Sequence, residues 1–316
     1  MRINNIFLLL FIISCLFLPS CASIQNLAMN MVADVLTGEG GGDVFTSDSD
    51  PELVGDAIPF AIKLYETLLA GNPKHQGLLL MTGSLFIMYA NAFVQGPAEL
   101  LPSYEWKERE TGLMRAKAFY LRGYDILFNG LEYKYPGFKE AAGSEETIKP
   151  YLEKLGKKDV GFLYWSVAGG LSAYSIDIMD FELNARIPQW HLMINRAYEL
   201  DPDFGGASLD EFFVIFYASM PEALGGNREL AKHHFEITME KTNWQSVGAF
   251  VSYAQSICIP EQDYDTFKEY LEKALAVDVN EDVSTRLVNI ISQRKAAWLL
   301  ENAWMNFSFL PMPDDY

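Results

Sequence analysis

Residues 50–73 read DPELVGDAIPFAIKLYETLLAGNP. The opening Asp50-Pro51-Glu52 is typical of a helix start, with an N-cap carboxylate, a proline in the first turn and an acidic side chain near the helix N-terminus. Apolar residues then recur three and four positions apart from Ile62 to Leu69, which is the period of a helix with one buried face. Gly71-Asn72-Pro73 follows with residues that break helices. We therefore predict one amphipathic helix in this stretch.

The same pattern continues along the rest of the chain. Breaks that contain glycine or proline separate further segments with helical apolar spacing, and short alternating runs of β-branched residues do not recur. The helical segments are Leu78–Phe93, Leu113–Leu127, Phe162–Leu171, Leu192–Leu200, Leu209–Met220, Ala231–Met239, Val247–Ile257, Tyr264–Ala276 and Val283–Leu300. This succession predicts an all-α fold.

A weak internal repeat runs through these helices. A small or apolar residue is followed four positions later by an aromatic or apolar one, and three positions after that by a small one, often with a proline five further on. This is the pattern of the second helix of a tetratricopeptide repeat (TPR), which pairs two helices in about 34 residues. The copies are Ala61/Tyr65/Leu68/Pro73, Trp190/Ile194/Ala197/Pro202, Ala231/Phe235/Thr238/Asn243, Phe267/Leu271/Ala274/Val279 and the looser Ala116/Tyr120/Gly123/Phe128. We predict antiparallel helix hairpins stacked as degenerate TPR-like repeats. A general α bundle is the alternative, because small residues occur wherever helices cross.

Composition limits the possible partners. The chain has 316 residues, 50% of them hydrophobic, and a formal net charge of −18. This hydrophobic content supports a sizeable core and excludes wholesale disorder. The acidic balance argues against nucleic-acid binding and against electrostatic docking on anionic lipids, since both need clustered Lys and Arg.

The N-terminus has the features of an export signal. Arg2 precedes an apolar run from Ile6 to Leu18, which is short for a transmembrane helix. The junction Leu18-Pro19-Ser20-Cys21-Ala22 looks like a bacterial lipobox, which implies cleavage before Cys21 and a lipid on its sulfur. We predict a signal peptide over 1–20, a lipidated helix and glycine-rich tether over 21–49, and a single α-helical TPR-like domain over 50–316. An uncleaved anchor or an ordinary signal peptide is the alternative.

Few residues suggest chemistry. The hydrolase, metalloprotease, Walker and dinucleotide-binding motifs are missing, and we expect no cofactor and no metal site. After cleavage and lipidation Cys258 would be the single remaining thiol, so a cysteine-based zinc site is excluded. Asp177 and Asp180 lie three positions apart and could form a carboxylate pair for glycoside hydrolysis. A helix-capping or surface role for these two carboxylates is the favoured interpretation.

Aromatic residues give the candidate ligand site. Residues 85–93 are apolar nearly all round a helix and should be buried, with Asn91 as the single strongly polar side chain. A buried Asn needs partners, so it could orient a ligand or simply satisfy the structure. We select Tyr89, Asn91, Phe93 and Trp165 as ligand-binding candidates, although packing is the plain alternative for each.

The segment Asp50–Lys63, with Glu66, Leu68-Leu69 and Pro73, resembles the TatT family. Its continuation from Leu78 through Tyr89–Val94 to Ala98-Glu99 resembles the same family. These are lipoproteins associated with tripartite ATP-independent periplasmic (TRAP) transporters. The resemblance implies an all-helical fold with cryptic TPRs, a periplasmic location with a lipid anchor in a bacterial membrane, and no catalytic motif. It also implies a homotrimer with an apolar cavity that meets a solute-binding subunit.

Three functions follow as hypotheses. The first is a non-enzymatic TRAP-associated lipoprotein that binds the solute-binding subunit and a hydrophobic or amphipathic small molecule. The second is a periplasmic α-helical hydrolase that acts on glycans through acids such as Asp177 and Asp180. The third is a TPR assembly scaffold without a ligand. Neighbouring genes for a solute-binding protein and transporter membrane subunits would favour the first. Two carboxyl groups that face each other across an open cleft would favour the second, and a fully filled interior with no cavity would favour the third.

Overall fold

A computed structural model describes residues 43–311. Within that range the chain forms helices, turns and connecting segments with no β-strand, which confirms the all-α prediction. The predicted signal peptide, Cys21 and most of the predicted tether lie outside the described residues. We label the α-helices of seven or more residues α1 (Pro51–Gly71), α2 (Gln76–Ala90), α3 (Trp106–Lys134), α4 (Glu145–Leu152), α5 (Val160–Ile176), α6 (Ile187–Leu200), α7 (Ser208–Ser219), α8 (Arg228–Lys241), α9 (Val247–Tyr253), α10 (Tyr264–Ala276) and α11 (Arg286–Glu301).

Helix α1 begins and ends where the sequence predicts. Asp50 is its N-cap and accepts a hydrogen bond from the backbone N–H of Leu53 at 3.0 Å. The helix closes when the N–H of Asn72 bonds to the carbonyl oxygens of Leu68 and Leu69. Side-chain capping satisfies a backbone donor that has no partner inside the helix, which explains why such starts can be recognised in a sequence.

Helix α2 continues beyond Ala90 through a π-helical turn, Asn91–Gln95, and a last turn, Gly96–Glu99. In the π turn the N–H of Gly96 bonds to the carbonyl of Asn91, and Pro97 follows directly. The whole helix Gln76–Glu99 is long and apolar enough to cross a membrane, but 56% of its most apolar window is buried inside the protein. It serves here as a core helix.

Consecutive helices pack against one another. Helix α1 packs on α2, α2 on α3, α3 on α5 and α5 on α6. At the crossing of α2 and α3, a Cβ added to Gly83 would lie 2.5 Å from the Leu127 side chain and 3.0 Å from the carbonyl oxygen of Gly123. The two backbones approach this closely because neither glycine carries a side chain. The largest hydrophobic core forms around these helices and includes the buried Trp190.

The second half of the chain builds its own core and then returns to the start. Helices α7 to α11 enclose a cluster that includes Phe250, Phe267 and Phe307. Helix α11 then reaches α1, where Leu287 joins a third cluster with Val54 and its neighbours. Polar bonds strengthen this closure. They are Arg294 Nη1 to Glu52 Oε1 at 2.5 Å, Lys295 Nζ to Glu99 Oε2 at 3.0 Å and Arg286 Nη1 to the carbonyl oxygen of Ser47 at 3.0 Å.

The repeat positions face the interior. The first three residues are fully buried in each of the copies that begin at Ala116, Trp190, Ala231 and Phe267. In the first copy Tyr65 is buried, while Ala61 and Leu68 are half-buried. Burial at these positions agrees with the amphipathic pattern, but it also occurs in a general bundle. Stacking as TPR-like repeats therefore stays a prediction.

Two ends of the first helices can be distinguished. An added Cβ on Gly55 would meet Phe93, and one on Gly112 would meet Ala98, so α1 begins where the extended α2 ends and α3 begins. A Cβ added to Gly161, in the first turn of α5, would meet Leu80 near the start of α2, so α5 begins at the other end and runs toward this one. We call this the proximal end. At the opposite, distal end α1 passes into α2.

Candidate functional site

A surface groove of about 400 Å³ lies at the distal end, between the last turns of α1, the first turn of α2 and the second half of α3. It is lined by Glu66, Leu69, Ala70, Pro73, Leu79, Arg122, Asp125, Ile126, Asn129 and Tyr133. Its volume falls in the range of small-molecule sites. The groove exists because α1 and α3 both pack on α2 and diverge around it where the α1–α2 hairpin turns.

The inner wall of the groove is apolar. Leu79 is buried beneath it, and Leu69 and Ile126 are half-buried beside it. Tyr133 stands at one side with an exposed ring, and the Lys74 ammonium lies 5.5 Å from the centre of that ring. Apolar surface of this kind can bind a hydrocarbon group by removing it from water.

The rim is charged. Glu66 accepts hydrogen bonds from Arg122 across the groove and from Lys63 Nζ at 2.8 Å along α1. The guanidinium of Arg122 also lies 4.8 Å from the centre of the Phe86 ring, so its position is held on two sides. Asn129 accepts a bond from Lys139 Nζ at 2.7 Å. An apolar wall with a few polar groups at the edge suits an amphipathic ligand.

The candidates selected from the sequence lie elsewhere. Tyr89 and Phe93 stack with ring centres 6.0 Å apart, and Tyr89 also packs against Phe119 at 5.9 Å. Trp165 makes its ring contact with Tyr164 at 5.0 Å, in the largest core. The structure therefore brings Tyr89 and Phe93 together, and these residues are not among those that line the groove.

Asn91 is exposed, so the expectation of a buried polar side chain on this helix is wrong. The preceding Ala90 is fully buried, and the change occurs where the π turn begins. The apolar sequence indicates a buried helix as a whole. It does not indicate that Asn91 lies on the outward side of this helix, in which Val94 and Ala98 further along are buried again.

The two carboxylates considered for hydrolysis are bound to one lysine. Lys117 Nζ donates to Asp177 Oδ2 at 2.7 Å and to Asp180 Oδ2 at 2.8 Å, and its side chain is only 10% exposed. Asp180 also caps the short helix that follows by accepting from the N–H groups of Glu182 and Leu183. The favoured capping role is confirmed for Asp180.

Charge pairing fixes the ionisation of this cluster. The hydrogen bond from Lys117 and the backbone bond from Leu183 hold the pKa of Asp180 below its usual value. Burial opposes the charge on Lys117, but its bonds to Asp177 and Asp180 outweigh that effect and raise the pKa of Lys117. Asp180 is therefore held as an anion, whereas a general acid would need a raised carboxyl pKa. Within residues 43–311, no group of three or more His, Cys, Asp or Glu side chains is arranged to hold a metal ion.

Little in the sequence indicates which residues line the groove. Arg122, Ile126 and Tyr133 lie more than fifty positions after Glu66, and they meet it only because α3 packs beside α1 on α2. The one usable signal was Pro73, which marks the hairpin turn next to which the groove lies.

The fold and the groove define an all-α helix-hairpin protein with a surface pocket. The family model of the TRAP transporter T-component (TAtT) matches residues 47–307. An uncharacterized protein of Treponema pallidum (strain Nichols) is 34% identical over 300 residues, which cover 90% of this chain and 93% of that protein. This chain therefore belongs to the TRAP transporter T-component family, as the resemblance in the sequence predicted. The family describes a transporter component and no enzyme class, and it indicates a periplasmic or membrane-associated location.

Proposed function

We propose that this protein is a non-enzymatic, lipid-anchored periplasmic component of a TRAP-type transporter. It binds the solute-binding subunit and a hydrophobic or amphipathic small molecule. The observation that carries the ligand part of this proposal is the distal groove, where an apolar wall meets a charged rim.

The groove suits the transient binding of an amphipathic molecule. Leu69, Leu79 and Ile126 offer an apolar surface to a hydrocarbon part. Arg122 and Asp125 offer charges of both signs to a polar head at the edge. Because the groove is shallow enough to stay in contact with solvent, a ligand can enter and leave without a large conformational change, as a component that passes a ligand to a partner requires.

The anchoring and assembly parts rest on other observations. The lipobox-like junction at Cys21 supports a lipid anchor, and family membership supports association with the transporter. A homotrimer follows from the family resemblance. Exposed Leu53, Phe60 and Leu64 on the outer face of α1 are available to a second copy.

The paired rings of Tyr89 and Phe93 form a second candidate ligand site, with Asn91 exposed between them in the sequence, while Trp165 packs on Tyr164. The groove is the stronger candidate because it has an open volume next to its residues. A glycan hydrolase is disfavoured because the Lys117 ammonium binds both Asp177 and Asp180 and helps hold the pKa of Asp180 below its usual value. A ligand-free scaffold is disfavoured by the groove itself.

Native mass spectrometry of the full chain, alone and with the cognate solute-binding subunit, tests the proposal. We expect a complex with equal numbers of the two subunits and a bound mass of lipid-like size. Ala70→Trp places a large side chain in the groove and should remove the bound mass. Ala276→Trp is the matched control, because Ala276 is exposed at the end of α10 and does not line the groove.

Either of two results would contradict the proposal. If the chain forms no complex with the solute-binding subunit, the proposed partner is wrong. If the two tryptophan variants retain the ligand equally, the groove is not the ligand-binding site. Tyr89→Ala would then be the next variant to measure.

A further inference from the structure

Two ammonium groups lie at one edge of the groove. Lys139 Nζ donates a hydrogen bond to Asn129 Oδ1 at 2.7 Å, and Lys74 Nζ lies 5.5 Å from the centre of the Tyr133 ring. Asn129 and Tyr133 both line the groove and are four positions apart on α3. Residues with this spacing are neighbours on one face of a helix, so the two ammonium groups flank a single turn of α3. We call these four residues the lysine rim.

Among residues 43–311, neither Lys74 nor Lys139 forms an ion pair with a carboxylate. Glu132 lies near Lys139, but its two oxygens accept hydrogen bonds from the backbone N–H groups of Gly137 and Lys139, both at 2.9 Å. The lysine rim therefore keeps a positive charge in a chain whose formal net charge is −18. A cationic edge on so acidic a protein favours an anionic ligand there.

The acidic residues that line the groove lie toward its other edge. Glu66 accepts hydrogen bonds from both Arg122 and Lys63, so its charge is balanced where it stands. Asp125 is eight positions before Tyr133 on α3, which is about 12 Å along the helix axis. The arginine of the groove is thus held by Glu66, and the lysine rim is the edge at which a cation remains available.

The amino end of α2 adds to the positive field of the lysine rim. Gln76 is the first residue of α2, and its side chain donates a hydrogen bond to the carbonyl oxygen of Gly130 at 3.3 Å, next to Asn129 on α3. The first turn of α2 contains no acidic residue. Because an anion is favoured near the N-terminus of a helix, the α2 dipole acts in the same direction as the two lysines.

We propose that the lysine rim binds the phosphate group of an alkyl phosphate monoester, with the hydrocarbon chain of that ligand on the apolar wall of the groove. A planar carboxylate matches the fork of an arginine, and the arginine of this groove is bound to Glu66. Two separate ammonium groups act as point charges, and they suit a tetrahedral head with two negative charges. A phosphate monoester carries those charges above its second pKa of about 6.

The neutral members of the lysine rim complete the head-group site. The Asn129 carbonyl oxygen accepts from Lys139, which leaves the amide NH₂ group to donate to a phosphate oxygen. The Tyr133 hydroxyl is a second donor at the same edge. This inference names the ligand class of the groove, and it rests on the function proposed above.

Isothermal titration calorimetry with four probes tests the head group. The full chain in phosphatidylcholine nanodiscs is titrated at about pH 8, where the phosphate monoester is doubly charged. The probes are octyl phosphate, nonanoate, octyltrimethylammonium and inorganic phosphate, and the first three carry the same octyl chain. Empty nanodiscs correct for partition of the probes into lipid.

Two lysine variants locate the bound phosphate. Lys74→Gln removes one charge of the lysine rim. Lys154→Gln is the matched control, because Lys154 is also exposed and its ammonium also lies over a tyrosine ring, 4.4 Å from the centre of Tyr151, without lining the groove. We expect octyl phosphate to bind about fivefold more tightly than nonanoate, as the gain from one further exposed charge pair allows. Lys74→Gln should abolish that preference, and Lys154→Gln should preserve it.

Three results would overturn the inference and leave the groove as a site for amphipathic molecules. They are equal affinity for the three octyl probes, a preference for nonanoate or octyltrimethylammonium, and a phosphate preference that Lys74→Gln retains. Inorganic phosphate that binds as tightly as octyl phosphate would overturn it too, because the hydrocarbon chain would then contribute nothing. If none of the octyl probes binds, the groove is not a ligand site, and the ligand part of the proposed function fails as well.

Discussion

Asp210 joins three helices through one buried carboxylate, and its replacement should destabilise the protein strongly. The side chain lies on the first turn of α7 and is 0% exposed. Its Oδ1 accepts from Tyr198 of α6 at 3.1 Å and from His234 Nδ1 of α8 at 2.7 Å, while Oδ2 accepts from Lys241 Nζ at 2.9 Å. Because an ionised carboxylate only accepts, Nδ1 of His234 carries the proton.

The structure gives the magnitude. Asp210→Asn keeps an oxygen for Tyr198 and His234 but turns an amide NH₂ group toward the Lys241 ammonium. One charge-assisted bond is lost, which corresponds to about 2 kcal/mol of unfolding free energy. Lys241 is partly exposed and keeps Asp203 and the carbonyl of Pro202 as partners, so the loss should not be larger. Asp210→Ala also leaves the Tyr198 and His234 donors unsatisfied, and should lower that free energy by about 3–5 kcal/mol.

Asp203→Asn is the matched control, because Asp203 binds the same Lys241 at 2.9 Å but is 77% exposed. An exposed pair contributes about 0–1 kcal/mol. Urea unfolding followed by far-UV circular dichroism measures all three variants. Equal stability of Asp210→Asn and Asp203→Asn would refute the reasoning, because burial is the main difference between the two carboxylates.

The pH dependence gives a second check on Asp210. Burial raises the pKa of this carboxyl, but the bonds from His234 and Lys241 outweigh it and leave the pKa below the usual value. At pH values between that lowered pKa and the unfolded pKa of about 3.9, the unfolded chain therefore binds more protons than the folded chain. Asp210 therefore stabilises the fold fully above about pH 4, and the contribution is lost as the pH falls through its folded pKa. Asp210→Asn should lose this acid-limb slope.

Three further predictions concern single positions. Burial raises the pKa of Glu211, so ionisation of this carboxyl opposes folding once the pH rises above its pKa in the unfolded chain. Glu211→Gln should therefore raise the free energy of unfolding at neutral pH, and a decrease would contradict this. Gly83→Ala should lower the free energy of unfolding by about 1–3 kcal/mol, because the new Cβ meets the neighbouring helix. In the control Gly156→Ala the new Cβ enters open space, so the free energy of unfolding should change by less than about 0.5 kcal/mol. The Cys258 thiol, buried and with its pKa raised to about 12, should react with a thiol reagent only after unfolding; rapid labelling of the native protein would refute that environment.

Local features of the fold could be predicted from the sequence. The start of α1 was predicted because Asp50 caps a backbone N–H three positions away, a bond that depends only on neighbouring residues. The all-α class was predicted from the spacing of apolar residues, because a helix that packs one side against a core has apolar residues three and four positions apart. The resemblance to the TatT family, which residues 50–99 carried, was confirmed by the match of the family model to residues 47–307.

The candidate site could not be predicted in the same way. Asn91 was expected to be buried because its helix is apolar, but it lies on the exposed side of that helix. The groove was missed because Glu66 and Arg122 become neighbours only when two distant helices pack on a third. Helical spacing indicates whether a residue faces a hydrophobic core, but it does not indicate which helix packs against that residue.

The sequence by itself determined the helices, their breaks, the acidic charge and the lipobox-like junction, because each depends on residues that are close along the chain. The tertiary structure alone decided what the carboxylates do. Asp177 and Asp180 could have been catalytic acids, and they became partners of Lys117 because α3 crosses α5 sixty positions away in the sequence. The energy of a charged group depends on the opposite charges near it and on its exposure to water. Both are determined only when the helices pack together.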